Sequence, residues 1–172
     1  MPTEIAVRRG RGGKACRQVV VTVVALSLSL LVSEKLLAQD VPTVVTGSQA
    51  RIAQQGNVRQ DGSFSLWTRG VIGDWFVSPQ GGQGELRVTA WGRTVAGEPP
   101  KLGVRFVLPD GRLLDAGELP ITSSQYQEFT LPVQLPRGFF GLRMRHLNRE
   151  VKGAPKELRH LVVKSFGFSG AE

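Results

Sequence analysis

Apolar and polar residues alternate with a period close to two along most of the second half of the chain, which is the pattern of half-buried β-strands. In Gly84–Trp91, Leu86, Val88 and Ala90 fall on one face, and Glu85, Arg87, Thr89 and Trp91 on the other. Leu102, Val104, Phe106 and Leu108 share a face in the next run, and Pro109-Asp110-Gly111 then turns the chain into Arg112-Leu113-Leu114. Phe129, Leu131 and Val133 alternate again. Pro136-Arg137-Gly138 leads into a run in which Phe140, Leu142, Met144 and His146 face one way, so that Arg143 and Arg145 face the other. A last strand is expected from about Arg159 to Phe168, and Ser63–Arg69 and Asp74–Ser78 supply two more. About eight strands with no convincing helix predict an all-β fold, an antiparallel β-sandwich of the jelly-roll kind. The run Pro79-Gln80-Gly81-Gly82-Gln83-Gly84-Glu85 lies between strands and reads as a turn, not a phosphate loop.

The first 38 residues read differently. Arg8, Arg9, Arg11, Lys14 and Arg17 precede an uncharged apolar run from Val19 to Val32, and Ala38 offers a small residue for cleavage. Fourteen residues are short of the ~20 that a membrane span needs, but fit the core of a signal peptide. We therefore expect a signal peptide at 1–38, a polar lead-in at 39–60 with one edge strand near Val44, and the sandwich at 61–170. The expected location is secreted or periplasmic, with no membrane span after cleavage. The plain alternative is an uncleaved anchor.

Cleavage changes the composition argument. The 172-residue chain has a net charge of +8, from 22 basic and 14 acidic residues. Six of the former and two of the latter lie in 1–38, so the exported part carries +4. With half of the basicity assigned to targeting, and the protein exported, nucleic acid is excluded as a partner. The single cysteine, Cys16, is also removed, which leaves no disulfide and no thiol chemistry. Gly and Pro number 21 and 10, a turn-rich composition that disfavours a helical bundle.

Catalytic groups are sparse. His146 falls on an inward position and reads as a core residue, and His160 as a surface one; two histidines alone make neither a zinc site nor a triad. No pair of carboxylates stands out for glycosidase chemistry. We expect no enzyme, no catalytic residue and no metal ligand. Aromatic and basic residues say more. Trp91 is the last outward residue of its strand, and Tyr126 opposes the inward parity of Phe129 and Leu131; both are placed to stack on a sugar ring. Trp67 and Trp75 are expected to pack in the core or at its rim. Between Arg137 and Lys164, eight basic residues stand against Glu150 and Glu157. This is either a solvated sheet face or a surface for an anionic partner: an acidic polysaccharide, a lipopolysaccharide or a phospholipid headgroup.

The stretch from Phe64 to Phe168 resembles the calcium-dependent xylan-binding type of carbohydrate-binding module. The resemblance rests on Ser65-Leu66-Trp67-Thr68-Arg69-Gly70-Val71-Ile72, Val88-Thr89-Ala90-Trp91-Gly92, Gly97-Glu98-Pro99-Pro100-Lys101-Leu102 and the strand and turn from Val104 to Gly111. It continues in Ser123-Ser124-Gln125-Tyr126 and in the late elements His146-Leu147-Asn148-Arg149 and Leu158-Arg159-His160-Leu161. It implies a β-sandwich that binds polysaccharide without catalysis, with Trp91 and Tyr126 stacking on sugar. Asn148 and Arg159 would bond hydroxyls or carboxylates, while Arg145 and Arg149 would favour acidic glycans. Two late aspartates of that family's calcium and sugar loop fall on Arg149 and Leu158, and a hard cation needs several oxygen ligands. The expected cofactor is therefore none, although the family would bring calcium. Partners besides polysaccharide are an envelope protein or a separate glycoside hydrolase. The alternative function is an envelope protein-interaction or structural module that has lost sugar binding.

Overall fold

The computed structural model describes residues 44–151 and 157–169. The expected signal peptide at 1–38 lies outside them. The described residues form nine strands and no helix: β1 (Val45–Thr46), β2 (Ile52–Val58), β3 (Phe64–Ser78), β4 (Gly82–Gly92), β5 (Lys101–Val107), β6 (Leu113–Pro120), β7 (Gln127–Leu135), β8 (Gly138–His146) and β9 (Leu161–Ser169). Among them no helix is long and apolar enough to cross a membrane.

All pairings are antiparallel and follow the order β6-β5-β8-β3-β9-β4-β7, with β1 on β9 and β2 on β3. The two layers of the sandwich meet in β3. Its first part pairs with β9, from Phe64 opposite Val163 to Leu66 opposite Leu161. Its second part pairs with β8, from Val71 opposite Arg145 to Ser78 opposite Gly138. Between them Arg69 takes a φ of 62°, a left-handed conformation that costs an L-residue about 1–2 kcal/mol. β2 follows the bend with a bulge of its own, where Gln55 has a φ of 49° and the register shifts between Gln54 and Gly56. The strands approach so closely that a Cβ on Gly70 would lie 2.5 Å from the Gln55 carbonyl oxygen, which only glycine avoids.

The predicted alternation holds in the core. Leu86, Val88 and Ala90 of β4, Leu102, Val104 and Phe106 of β5, and Phe140, Leu142 and Met144 of β8 are all buried. Phe76, Phe106, Phe140 and Phe168 close one end with edge-to-face contacts, among them Phe106–Phe140 at 5.2 Å and Phe76–Phe168 at 4.9 Å. Pro109-Asp110-Gly111 forms the expected turn, with Leu108 N–H donating to Arg112 C=O at 2.9 Å.

Three expectations change. The two strands expected at Ser63–Arg69 and Asp74–Ser78 are one bent strand, because a single left-handed residue redirects the chain without ending its ladder. The lead-in carries the edge strand expected near Val44, as β1, and beyond it a second strand, β2, that also joins the sheet. β2 is mostly exposed and held by main-chain pairing to β3, so it shows no alternation. Trp67 is half exposed rather than packed.

Candidate functional site

The side of β3, β5, β6 and β8 that faces away from the core carries a cleft of about 600 Å³. Strand parity builds it. On β8, Met144 and Leu142 point inward, so Arg143 and Arg145 point outward. On β5, Gly103 and Arg105 are the outward residues opposite them. On β6, Asp115 stands opposite Arg105 and Glu118 opposite Gly103. Arg69 enters from the bend in β3, and Gln54 from β2. Gly103 has no side chain to fill the trough, and the Leu147 side chain lies over it.

Four guanidinium groups thus face one cleft with two carboxylates. Arg105 donates from Nε to Asp115 Oδ1 at 2.6 Å. Among the described residues, Arg69, Arg143 and Arg145 have no carboxylate partner within ion-pair distance, and Glu118 has no cationic one. The cleft is therefore electropositive, with planar, fork-shaped donors available to a carboxylate or sulfate.

A smaller recess of about 240 Å³ adjoins it and shares Arg69, Arg145 and Leu147. Its wall includes Thr68, Asn148, Arg149 and Glu150, and Arg149 Nη1 donates to Thr68 Oγ1 at 3.2 Å. Two of the six candidate residues, Arg145 and Arg149, come together here with their guanidinium groups at a recess.

Asn148 and Arg159 are beside it but are committed to the fold. Asn148 Oδ1 accepts from Lys101 N–H at 2.8 Å, and its Nδ2 donates to Pro99 C=O at 2.9 Å. Arg159 is buried and spends all five donors. Nε goes to Glu98 C=O at 3.0 Å, Nη1 to Asn148 C=O at 2.9 Å and Glu150 C=O at 3.1 Å. Nη2 goes to Val95 C=O at 3.4 Å and to the Glu98 carboxylate at 2.6 Å. Each of these groups ties the β8–β9 loop to the β4–β5 loop.

The same arrangement bears on calcium, which would require a cluster of oxygen ligands. The carbonyls and the carboxylate that converge here already surround a guanidinium, and Arg149 adds a second positive charge. No group of three acidic or histidine side chains gathers among the described residues. This donor set does not fit a hard dication.

Trp91 and Tyr126 lie elsewhere. β4 pairs with β7 so that Ala90 opposes Gln127, and Trp91 and Tyr126 are the residues that follow and precede this pair in the other layer. Each ring already has a cation near it: Arg59 at 5.7 Å from the Trp91 centroid and Lys164 at 5.4 Å from that of Tyr126. Tyr126 Oη donates to Asp61 Oδ2 at 2.7 Å, and the Ser63 hydroxyl, this bond and the Ser63 N–H together hold the Asp61 carboxyl down at about 2. The candidates therefore do not form one site: Trp91 and Tyr126 lie apart from Arg145 and Arg149, and Asn148 and Arg159 serve the loops between strands.

His146 ends β8 beneath the smaller recess. It is buried, and neither ring nitrogen has a well-formed hydrogen bond. Burial pushes its imidazole down to about 4, only partly offset by the neighbouring Leu66 backbone. It is therefore uncharged at neutral pH, at the floor of that recess.

Arg69, Arg105 and Arg143 were not among the candidates. For Arg105 and Arg143 the signal was present, since period-two parity puts both on the side of Arg145. For Arg69 there was none, because its position depends on the left-handed bend.

Neither a family model nor a curated protein matches this chain. Solved structures do match in fold. A family 36 carbohydrate-binding module in complex with calcium and xylotriose is 12% identical with a TM-score of 0.57, covering 74% of this chain and 99% of its own. A family 36 module of a multidomain xylanase from the hindgut metagenome of Trinervitermes trinervoides is 11% identical with a TM-score of 0.58, over 76% and 98%. A family 35 module from Clostridium thermocellum is 13% identical with a TM-score of 0.54, over 74% and 96%. The chain has the β-sandwich fold of these modules.

Proposed function

We propose that this protein is an exported, non-catalytic module that binds an acidic polysaccharide in the cleft between β5, β6 and β8. One observation carries the reading. On a fold shared with carbohydrate-binding modules, Arg69, Arg105, Arg143 and Arg145 converge on one cleft, and among the described residues only Arg105 is neutralised by an ion pair. Guanidinium forks select carboxylate or sulfate groups by geometry as well as charge, and Gln54 and Glu118 are at hand for hydroxyls. Arg149 extends the positive surface into the adjoining recess. The reading calls for no calcium, and the carbonyls and Glu98 carboxylate already gathered around Arg159 support this.

Affinity electrophoresis tests this. The protein is run through gels containing polygalacturonate, heparin or neutral xylan, each with calcium or a chelator. We expect retardation by an acidic polymer, indifferent to chelator and weakened by salt. Chelator-sensitive retardation by xylan would overturn the assignment of both ligand and metal. Free migration in every gel would favour an envelope protein as the partner.

A further inference from the structure

The outward positions of β8 do not end at the arginines. Beyond Arg145 and Arg143 come Gly141 and Phe139, each step of two residues advancing about 7 Å along the strand. β3 runs beside it with Gly73 opposite Arg143, Trp75 opposite Gly141 and Val77 opposite Phe139. Trp75 leans across Gly141, where a Cβ would lie 2.8 Å from its ring. It stacks on Phe139 with centroids 5.2 Å apart and planes 9° from parallel. Phe139 remains 49% exposed, although its neighbour Phe140 is 1% exposed in the core. One continuous face thus passes from guanidinium groups to an open aromatic stack over about 14 Å of strand.

We infer that the ligand is a polysaccharide chain lying along β8, with anionic groups at Arg143 and Arg145 and a following sugar ring stacked on Phe139, which Trp75 holds in place. This rests on the polysaccharide reading above and adds the ligand's length and direction. A pyranose has a flat C–H face that suits an aromatic ring, and the ring here is positioned before any ligand arrives. A strand-long face that is charged at one end and aromatic at the other matches a polymer whose sugars differ in charge or expose both hydroxyl and C–H surfaces.

The test uses the full protein and Phe139, whose exposure lets its variants fold. Binding is measured to polygalacturonate and heparin, and to digalacturonate as a ligand too short to span the face. Phe139→Ala should weaken polymer binding about five- to tenfold and leave digalacturonate unaffected. Phe139→Trp should restore the polymer affinity, and Phe139→Leu should not. The salt dependence should stay unchanged in Phe139→Ala and become shallower in Arg143→Ala, since only the latter removes a charge that displaces counterions. Wild-type polymer binding in Phe139→Ala alongside its loss in Arg143→Ala would overturn the extension and leave the arginine cleft standing. Full binding by Phe139→Leu, or Phe139-dependent sedimentation with phosphatidylglycerol vesicles, would overturn it in favour of an apolar surface for lipid. Polymer binding indifferent to both residues would overturn the cleft as well.

Discussion

Arg145 and Arg159 show how little residue type alone decides. Both carry the same fork of donors, and both entered the sequence reading as sugar ligands. Arg145 sits at an outward position of β8 and keeps its guanidinium open at two recesses. Arg159 follows a loop that folds back under β4 and β5, and its donors are consumed by four carbonyls and one carboxylate. Strand parity was legible and placed Arg145; loop closure was not, because it depends on residues some sixty positions apart in the chain. His146 was legible on the same grounds as Arg145, as the inward residue of the pair, and it is buried. Its imidazole ordinarily takes up a proton near 6.5, but in the fold only near 4, owing to burial and to Arg149, Arg159 and His160 nearby. The unfolded chain therefore binds the proton first, and stability present above pH 6.5 is lost as the pH falls through this window, by up to about 3 kcal/mol. Asp61 contributes in the same direction, but between 3.8 and about 2. We expect His146→Phe to flatten the stability profile between pH 6.5 and 4, measured by urea denaturation at a series of pH values. An unchanged slope would mean that the imidazole is not neutral in the fold.

At the scale of the element, β3 is the part that sequence periodicity handles least well. From Gly70 to Asp74 five successive residues are buried, so the run from Gly70 to Gly73 reads as a break between two strands. The burial accompanies the passage of the strand from one layer to the other, where β2 and β8 flank it along both edges. The bend also supplies Arg69 to the cleft. An L-residue held at positive φ at a ligand-facing position stores strain that glycine would relieve. Arg69→Gly should therefore leave stability unchanged or raise it by about 1 kcal/mol, while weakening acidic-polymer binding. Arg69→Ala should weaken binding similarly and gain nothing in stability. Thermal denaturation and affinity electrophoresis of the two variants separate the effects. A destabilised Arg69→Gly with full binding would show that Arg69 serves the bend rather than the ligand. β2 escaped the sequence reading for a simpler reason: a strand held by its main chain, with most side chains in water, has no apolar face to announce it.

For the whole molecule, the fold was legible because it is written in the core positions of the longer strands, while the site was only half legible because it is an assembly. Of the residues chosen from sequence for sugar chemistry, those not committed to loop contacts lie on two faces. One, with Trp91 and Tyr126, already has its rings attended by Arg59 and Lys164. The other gathers residues from β2, β3, β5, β6 and β8 around three arginines without carboxylate partners among the described residues. Local pairing distinguishes the faces: the cations on one lie over rings, and those on the other wait in a cleft.

The central claim is that an acidic polysaccharide binds the β5–β8 face through its arginines. The most direct test compares two variants that remove equal charge from the two faces, Arg143→Ala/Arg145→Ala and Arg59→Ala/Lys164→Ala, in one affinity gel containing the acidic polymer. We predict that the first migrates almost freely, while the second is retarded nearly as the wild-type protein. Equal effects would reduce the interaction to net charge, and the reverse order would contradict the account by moving the site to the Trp91–Tyr126 face.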